Sequence, residues 1–228
     1  MIPTSWNREK NIDYHYFEGK RWLSESHDGE RSTALAYAAF EFRLALERII
    51  FQYWYILKSD DLKDRDISDI RSFKTMQNRI YEISGYQKII NKKFEFARIP
   101  LEMLKIKPTL ITPDFGKMHE NWSDCSELCH IGWTLVADDK KILKEQYLIL
   151  TNISTFLIDC INGIISWSKI KDQPHKELEE RFIKEEISAD QVREELRKKG
   201  LWARMEFNSN DKPNEFIGEA VPPNTEAT

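Results

Sequence analysis

The chain has 228 residues, with 34 Lys and Arg against 38 Asp and Glu, and a formal net charge of −4. An apolar fraction of 41% supports a buried core, and the mild acidity excludes a general nucleic-acid coat protein. No stretch reaches the roughly 18 uncharged apolar residues of a membrane span, and no signal peptide is recognisable. Three cysteines, an odd number, indicate free thiols in a reducing compartment. These features together predict a cytoplasmic protein without a membrane partner.

Two helices are predicted in the first quarter of the chain. Residues 7–27 mix aromatic and charged residues at helical spacings, which predicts a first helix. Arg31–Leu57, RSTALAYAAFEFRLALERIIFQYWYIL, predicts one long helix that is apolar on nearly every side. Since a helix of this kind is normally buried, we expect it at the centre of a large helical core.

The long helix also carries four charged residues in its middle, Glu41, Arg43, Glu47 and Arg48. Arg43 and Glu47 are one turn apart on one face, whereas Glu41 and Arg48 fall on roughly the opposite side. Buried charges are costly unless they are paired. The four residues therefore form either a buried polar site or a set of salt bridges that fixes helix packing, and the packing role is the more common.

Further helices follow at residues 67–83, 86–106 and 115–129, where apolar residues recur near the helical period. Gly85 separates the first two of these helices, and Asp114 is placed to cap the start of the third. With these segments, the predicted helical bundle extends to residue 129.

A second long apolar helix is predicted over residues 140–168. Its apolar stripe is formed by Leu143, Tyr147, Leu150, Ile153, Leu157, Ile161, Ile164 and Trp167. A second stripe is polar but mostly uncharged, and consists of Thr151, Thr155, Asp159, Asn162 and Ser166. Polar side chains on a buried helix need hydrogen bonds, so this stripe suggests contact with a partner helix.

The last part of the chain is richer in charge. Ser188 and Gln191 fit a capping box at the start of a short amphipathic helix. The final residues are polar and contain prolines, which is typical of disorder. The sequence therefore predicts an all-α fold: a multi-helix bundle over residues 1–205, with two long buried helices, and a flexible, disordered tail over residues 206–228.

Two groups of side chains could carry chemistry in residues 115–130. Cys125 and Cys129 share a helical face, with His119 and His130 nearby, and four such groups could in principle hold zinc. The usual ligand spacing is absent, and cysteines at helical period are ordinary core residues, so no metal site is expected. Ser126 and His130 are also one turn apart, but a Ser–His nucleophile pair needs an orienting acid.

Common enzyme motifs are missing. The sequence has no Gly-rich phosphate loop, no HExxH and no GxSxG. P-loop enzymes, zincins and α/β-hydrolases are thus disfavoured, and no cofactor is expected.

Two segments resemble prokaryotic HEPN-like proteins. AFEFRLALERIIFQYW, residues 39–54, is similar to their long aromatic-rich helix, which carries an Arg and a Glu a turn apart. NWSDCSELCHIGW, residues 121–133, is similar to their later helix, which ends in a His after a Ser-x-x-x-His stretch. The resemblance implies an all-helical bundle that often dimerises. It also implies a place in toxin–antitoxin or phage-defence systems, where many such proteins are metal-independent ribonucleases.

The nuclease motif of that family, Arg followed by His after four to six residues, does not occur before His130. Arg21 and His27 have an acceptable spacing but precede the long helix. A rebuilt nuclease site would need His130 near Arg43 and Glu47, with His as the acid–base and Arg holding the phosphate.

These observations leave the question of enzymatic activity open. The leading expectation is a non-catalytic HEPN-like interaction subunit of a prokaryotic antiviral-defence or toxin–antitoxin type system, acting as a homodimer or with a partner protein. The alternative is a divergent metal-independent HEPN-like ribonuclease that uses His130 with Arg43 and Glu47, for which RNA is the partner. A regulator with residues 188–202 as a DNA-binding helix is disfavoured because that segment is acidic as well as basic.

Overall fold

The computed structural model describes residues 12–58, 64–105, 110–130, 139–162 and 173–199, together with the backbone of two short strands. The α-helices in these ranges are α1 (Ile12–Glu25), α2 (Ser32–Lys58), α3 (Phe73–Ser84), α4 (Gln87–Met103), α5 (Phe115–Leu128), α6 (Lys140–Asn162), α7 (Gln173–Ile183) and α8 (Ala189–Lys199). A 3-10 helix covers Asp64–Arg71. The predicted all-α class is confirmed. Within the described ranges, no helix has the length and apolarity to cross a membrane.

The helices divide into two compact units. Unit 1 is drawn from Met1–Gln87 and Pro113–Trp167, and unit 2 from Lys88–Thr112 and Ser168–Thr228. The sequence predicts a single bundle over residues 1–205, so the division is a difference between prediction and structure. Its cause is long-range packing, because α4 shares a core with α7 and α8, which follow it by about 70 residues or more. The predicted tail boundary at residue 205 stays a prediction.

The central helix of unit 1 is α2, which confirms the long helix predicted at Arg31–Leu57. It packs against α1, α3, α5 and α6. Neighbours on several sides explain why apolar residues occur around most of its circumference. Its buried residues are Ala34, Leu35, Ala38, Ala39, Phe42, Ala45, Leu46, Ile49, Ile50, Tyr53 and Trp54.

The second long helix, α6, is described over Lys140–Asn162, and residues 163–168 of the predicted helix lie outside the described ranges. Leu143, Leu150, Ile153 and Leu157 are buried, as the predicted apolar stripe requires. α6 packs against α1 and α2. The prediction of two long buried helices is therefore confirmed.

Two helix starts agree with their predicted caps. The Asp114 carboxylate accepts a hydrogen bond from the Lys117 N–H at 2.8 Å and begins α5. The Ser188 N–H donates to Gln191 Oε1 at 2.8 Å, and the Gln191 N–H donates to Ser188 Oγ at 3.3 Å, which forms a capping box. Local side-chain chemistry sets both boundaries.

The helix predicted over residues 67–83 is wrong as a single element. A 3-10 helix ends at Arg71, and α3 begins after Ser72. Ser72 has extended backbone angles, and its hydroxyl accepts from the Thr75 N–H. The apolar period continues across the break, but an N-cap residue with an extended backbone ends one helix and starts another.

Unit 2 has its own hydrophobic core. The buried residues of this core come from α4 and the turn after it, from α7 and the connection after it, and from α8; they are Phe96, Ile99, Leu104, Leu178, Phe182, Ile187, Val192 and Leu196. An ion pair between Arg193 and Glu102 at 3.0 Å joins α8 to α4 on the surface. Val192 and Leu196 are buried on the inward face of the predicted amphipathic helix.

The C-terminal segment contains a short antiparallel hairpin that the sequence does not predict. β1 (Arg204–Phe207) pairs with β2 (Asn214–Ile217), with Arg204 opposite Ile217 and Phe207 opposite Asn214. Residues 208–213 and 218–228 of the predicted tail lie outside the described residues, as do residues 7–11 of the first predicted helix.

Candidate functional site

The predicted pair Arg43 and Glu47 lies where α2 packs against α5. Arg43 Nε donates to Glu47 Oε1 at 3.0 Å, and both side chains are about one-third exposed. Trp122 Nε1 on α5 donates to the same carboxylate oxygen at 2.8 Å. The Arg43 guanidinium carbon lies 5.1 Å from the Trp122 ring centroid, a cation–π contact. One carboxylate thus holds an arginine and an indole together across two helices.

Two aromatic rings hold Trp122 in this orientation. Its ring stacks on Phe73 of α3, with centroids 5.4 Å apart, and on His119 of α5, with centroids 6.1 Å apart. Phe73 and His119 are themselves 5.9 Å apart. Because a stacked ring has little rotational freedom, the indole N–H stays directed at Glu47.

The three thiols are poor nucleophiles. Burial raises the pKa of the Cys125 thiol well above its ordinary value, and raises that of Cys160 to about 12. Burial also raises the pKa of the half-buried Cys129 thiol, although the nearby Arg43 charge lowers it and Glu47 raises it. The thiolate is the reactive form, so these cysteines do not supply a catalytic nucleophile at neutral pH.

Alkylation should therefore be slow in the folded protein. At pH 8 with iodoacetamide, we expect Cys129 to react first, and Cys125 and Cys160 to react only on unfolding. Each unit of raised pKa lowers the thiolate fraction by about tenfold, and burial blocks the reagent as well. Peptide mass spectrometry over time measures the three rates, with the urea-unfolded protein as control. Modification of Cys125 at equal rates in both samples would contradict the described packing.

His130 lies two residues beyond the end of α5 and is exposed. Its backbone N–H donates to the Glu127 carbonyl at 3.2 Å. Within the described ranges, its ring has no hydrogen bond or ion pair with Arg43 or Glu47. The structure thus joins Arg43 and Glu47 of the three predicted catalytic residues, and among the described contacts none links them to the His130 ring, so the catalytic trio stays a prediction.

The other candidate groups near His130 are the Ser126 hydroxyl and the possible metal ligands, and neither forms the predicted kind of site in the described residues. Ser126 Oγ donates to the Trp122 carbonyl at 2.7 Å, one turn back in α5. Its hydroxyl is thus not held by an imidazole base. In the part of the chain that the structure describes, no three His, Cys, Asp or Glu side chains are grouped so that they could hold a metal ion.

A second polar pair lies where α1 packs against α2, and sequence reasoning missed one of its members. His15 is buried, and its Nδ1 lies 2.8 Å from Glu41 Oε2. Glu41 therefore faces α1 while Arg43 and Glu47 face α5, as their helical positions predict. No local pattern around His15 indicates its partner, because the two residues are 26 positions apart.

The predicted polar stripe of α6 is largely satisfied by its own helix. Thr151 Oγ1 donates to the Tyr147 carbonyl at 2.8 Å, and Thr155 Oγ1 donates to the Thr151 carbonyl at 3.2 Å. Thr155 and Asp159 are exposed to solvent. The described part of the stripe therefore needs no partner helix to satisfy its hydroxyl groups.

Large aromatic side chains instead remain exposed on α1 and α2. Tyr14 and Phe17 project from α1, and Tyr37 and Phe40 from α2, with 47% to 64% of each residue exposed. Exposed aromatic residues on the outer side of a central helix are a typical feature of an interaction surface.

No family model, curated protein or solved structure matches the chain.

Proposed function

We propose that the chain is a non-catalytic, HEPN-like interaction subunit of a prokaryotic antiviral-defence or toxin–antitoxin type system, acting in the cytoplasm. The observation that carries the proposal is the exposed aromatic surface of unit 1, above all Tyr37 and Phe40 on α2. Aromatic residues and arginine are enriched at protein interfaces, where they contribute most of the binding energy. The free thiols support the cytoplasmic location.

Two further observations favour an interaction role over catalysis. The two helices that carry the family resemblance, α2 and α5, pack together through Glu47, whose Oε1 already accepts from Arg43 and Trp122. A carboxylate that holds two donors across a helix interface stabilises packing. Among the residues that the structure describes, no side chain orients the exposed His130 ring, whereas an acid–base imidazole needs an orienting partner.

A divergent metal-independent ribonuclease is the second candidate. It is favoured by one observation, since the Arg43 side chain keeps about one-third of its surface exposed beside the end of α5. A phosphate could approach that guanidinium, and His130 follows α5 directly in the chain. The two candidates differ in one measurable property, the cleavage of RNA.

We expect no cleavage when purified protein is incubated with single-stranded and hairpin RNA in buffer containing EDTA. Wild type, His130→Ala and Arg43→Ala are compared on denaturing gels, with folding checked by circular dichroism. All three should match the no-protein control. Cleavage by wild type that a folded His130→Ala variant loses would replace the interaction-subunit proposal with the ribonuclease.

A further inference from the structure

We draw no further inference here: the strongest candidate, the surface patch formed by the exposed Tyr37 and Phe40 on the outward side of α2 beside Trp22 of α1, carries none because nothing in the part of the chain that the structure describes shows what covers it.

Discussion

Replacing Ile50 with Asp is expected to unfold unit 1. Ile50 lies in the middle of α2, with no exposed surface, in a helix that packs against four others. The variant loses buried apolar contacts and places an unpaired carboxylate in the core, which together cost about 4 kcal/mol or more. A typical domain has only about 5–15 kcal/mol of stability. Thermal and urea unfolding followed by circular dichroism should show a lost or strongly lowered transition.

Leu148→Asp provides the matched control for this variant. Leu148 lies on α6, the other long helix, but 51% of it is exposed. We expect a change within about 1 kcal/mol, since surface substitutions rarely exceed that. An unchanged melting temperature for Ile50→Asp would show that this side of α2 is not buried, and would contradict the central position of the helix.

Gly19→Ala is expected to destabilise the protein although Gly19 lies within a helix. A Cβ at this position would overlap the Cδ1 and Cε1 atoms of the Phe42 ring. Phe42 is fully buried on α2 and packs against Tyr16, so its ring has no room to move. Overpacking of this kind costs about 1–3 kcal/mol or more. In an open helix the same change would stabilise by about 1 kcal/mol, so the sign of the effect is diagnostic.

Gly116→Ala is the control for the glycine variant. Gly116 lies in the first turn of α5, and the nearest atom to an added Cβ is Asp114 Oδ1 at 3.3 Å. We expect an unchanged or slightly raised melting temperature. If differential scanning calorimetry shows that both glycine variants stabilise the protein, the close packing of α1 on α2 at Phe42 is wrong.

The candidate site shows which side-chain contacts can be predicted from local sequence pattern and which cannot. The pairing of Arg43 with Glu47 is predictable, because residues four apart on a helix are neighbours. Their contact with Trp122 is not, because the indole that completes the pair lies 75 positions from Glu47. The same holds for His15 and Glu41. Contacts of the Trp122 and His15 rings with carboxylates on another helix depend on which helix faces meet, and short-range sequence pattern does not predict that.

The division into two units is likewise not predictable from local sequence pattern. Helical period predicts α4 and α8 separately, but their shared core with α7 arises only when distant segments pack. The break at Ser72 is a local exception, since the apolar period runs across it while the N-cap geometry ends one helix there.

Local sequence pattern is enough to predict the all-α class, the long central helix, its burial, the caps of α5 and α8 and the opposed faces of the four charges in α2. These properties depend on residues within a few turns of each other, where spacing and side-chain chemistry decide the outcome. Three features follow from tertiary packing instead: Trp122 completes the Arg43–Glu47 pair, His130 is exposed, and Tyr37 and Phe40 remain open to solvent. Each of these depends on which helix faces pack together, and contacts between segments far apart in the chain set that choice.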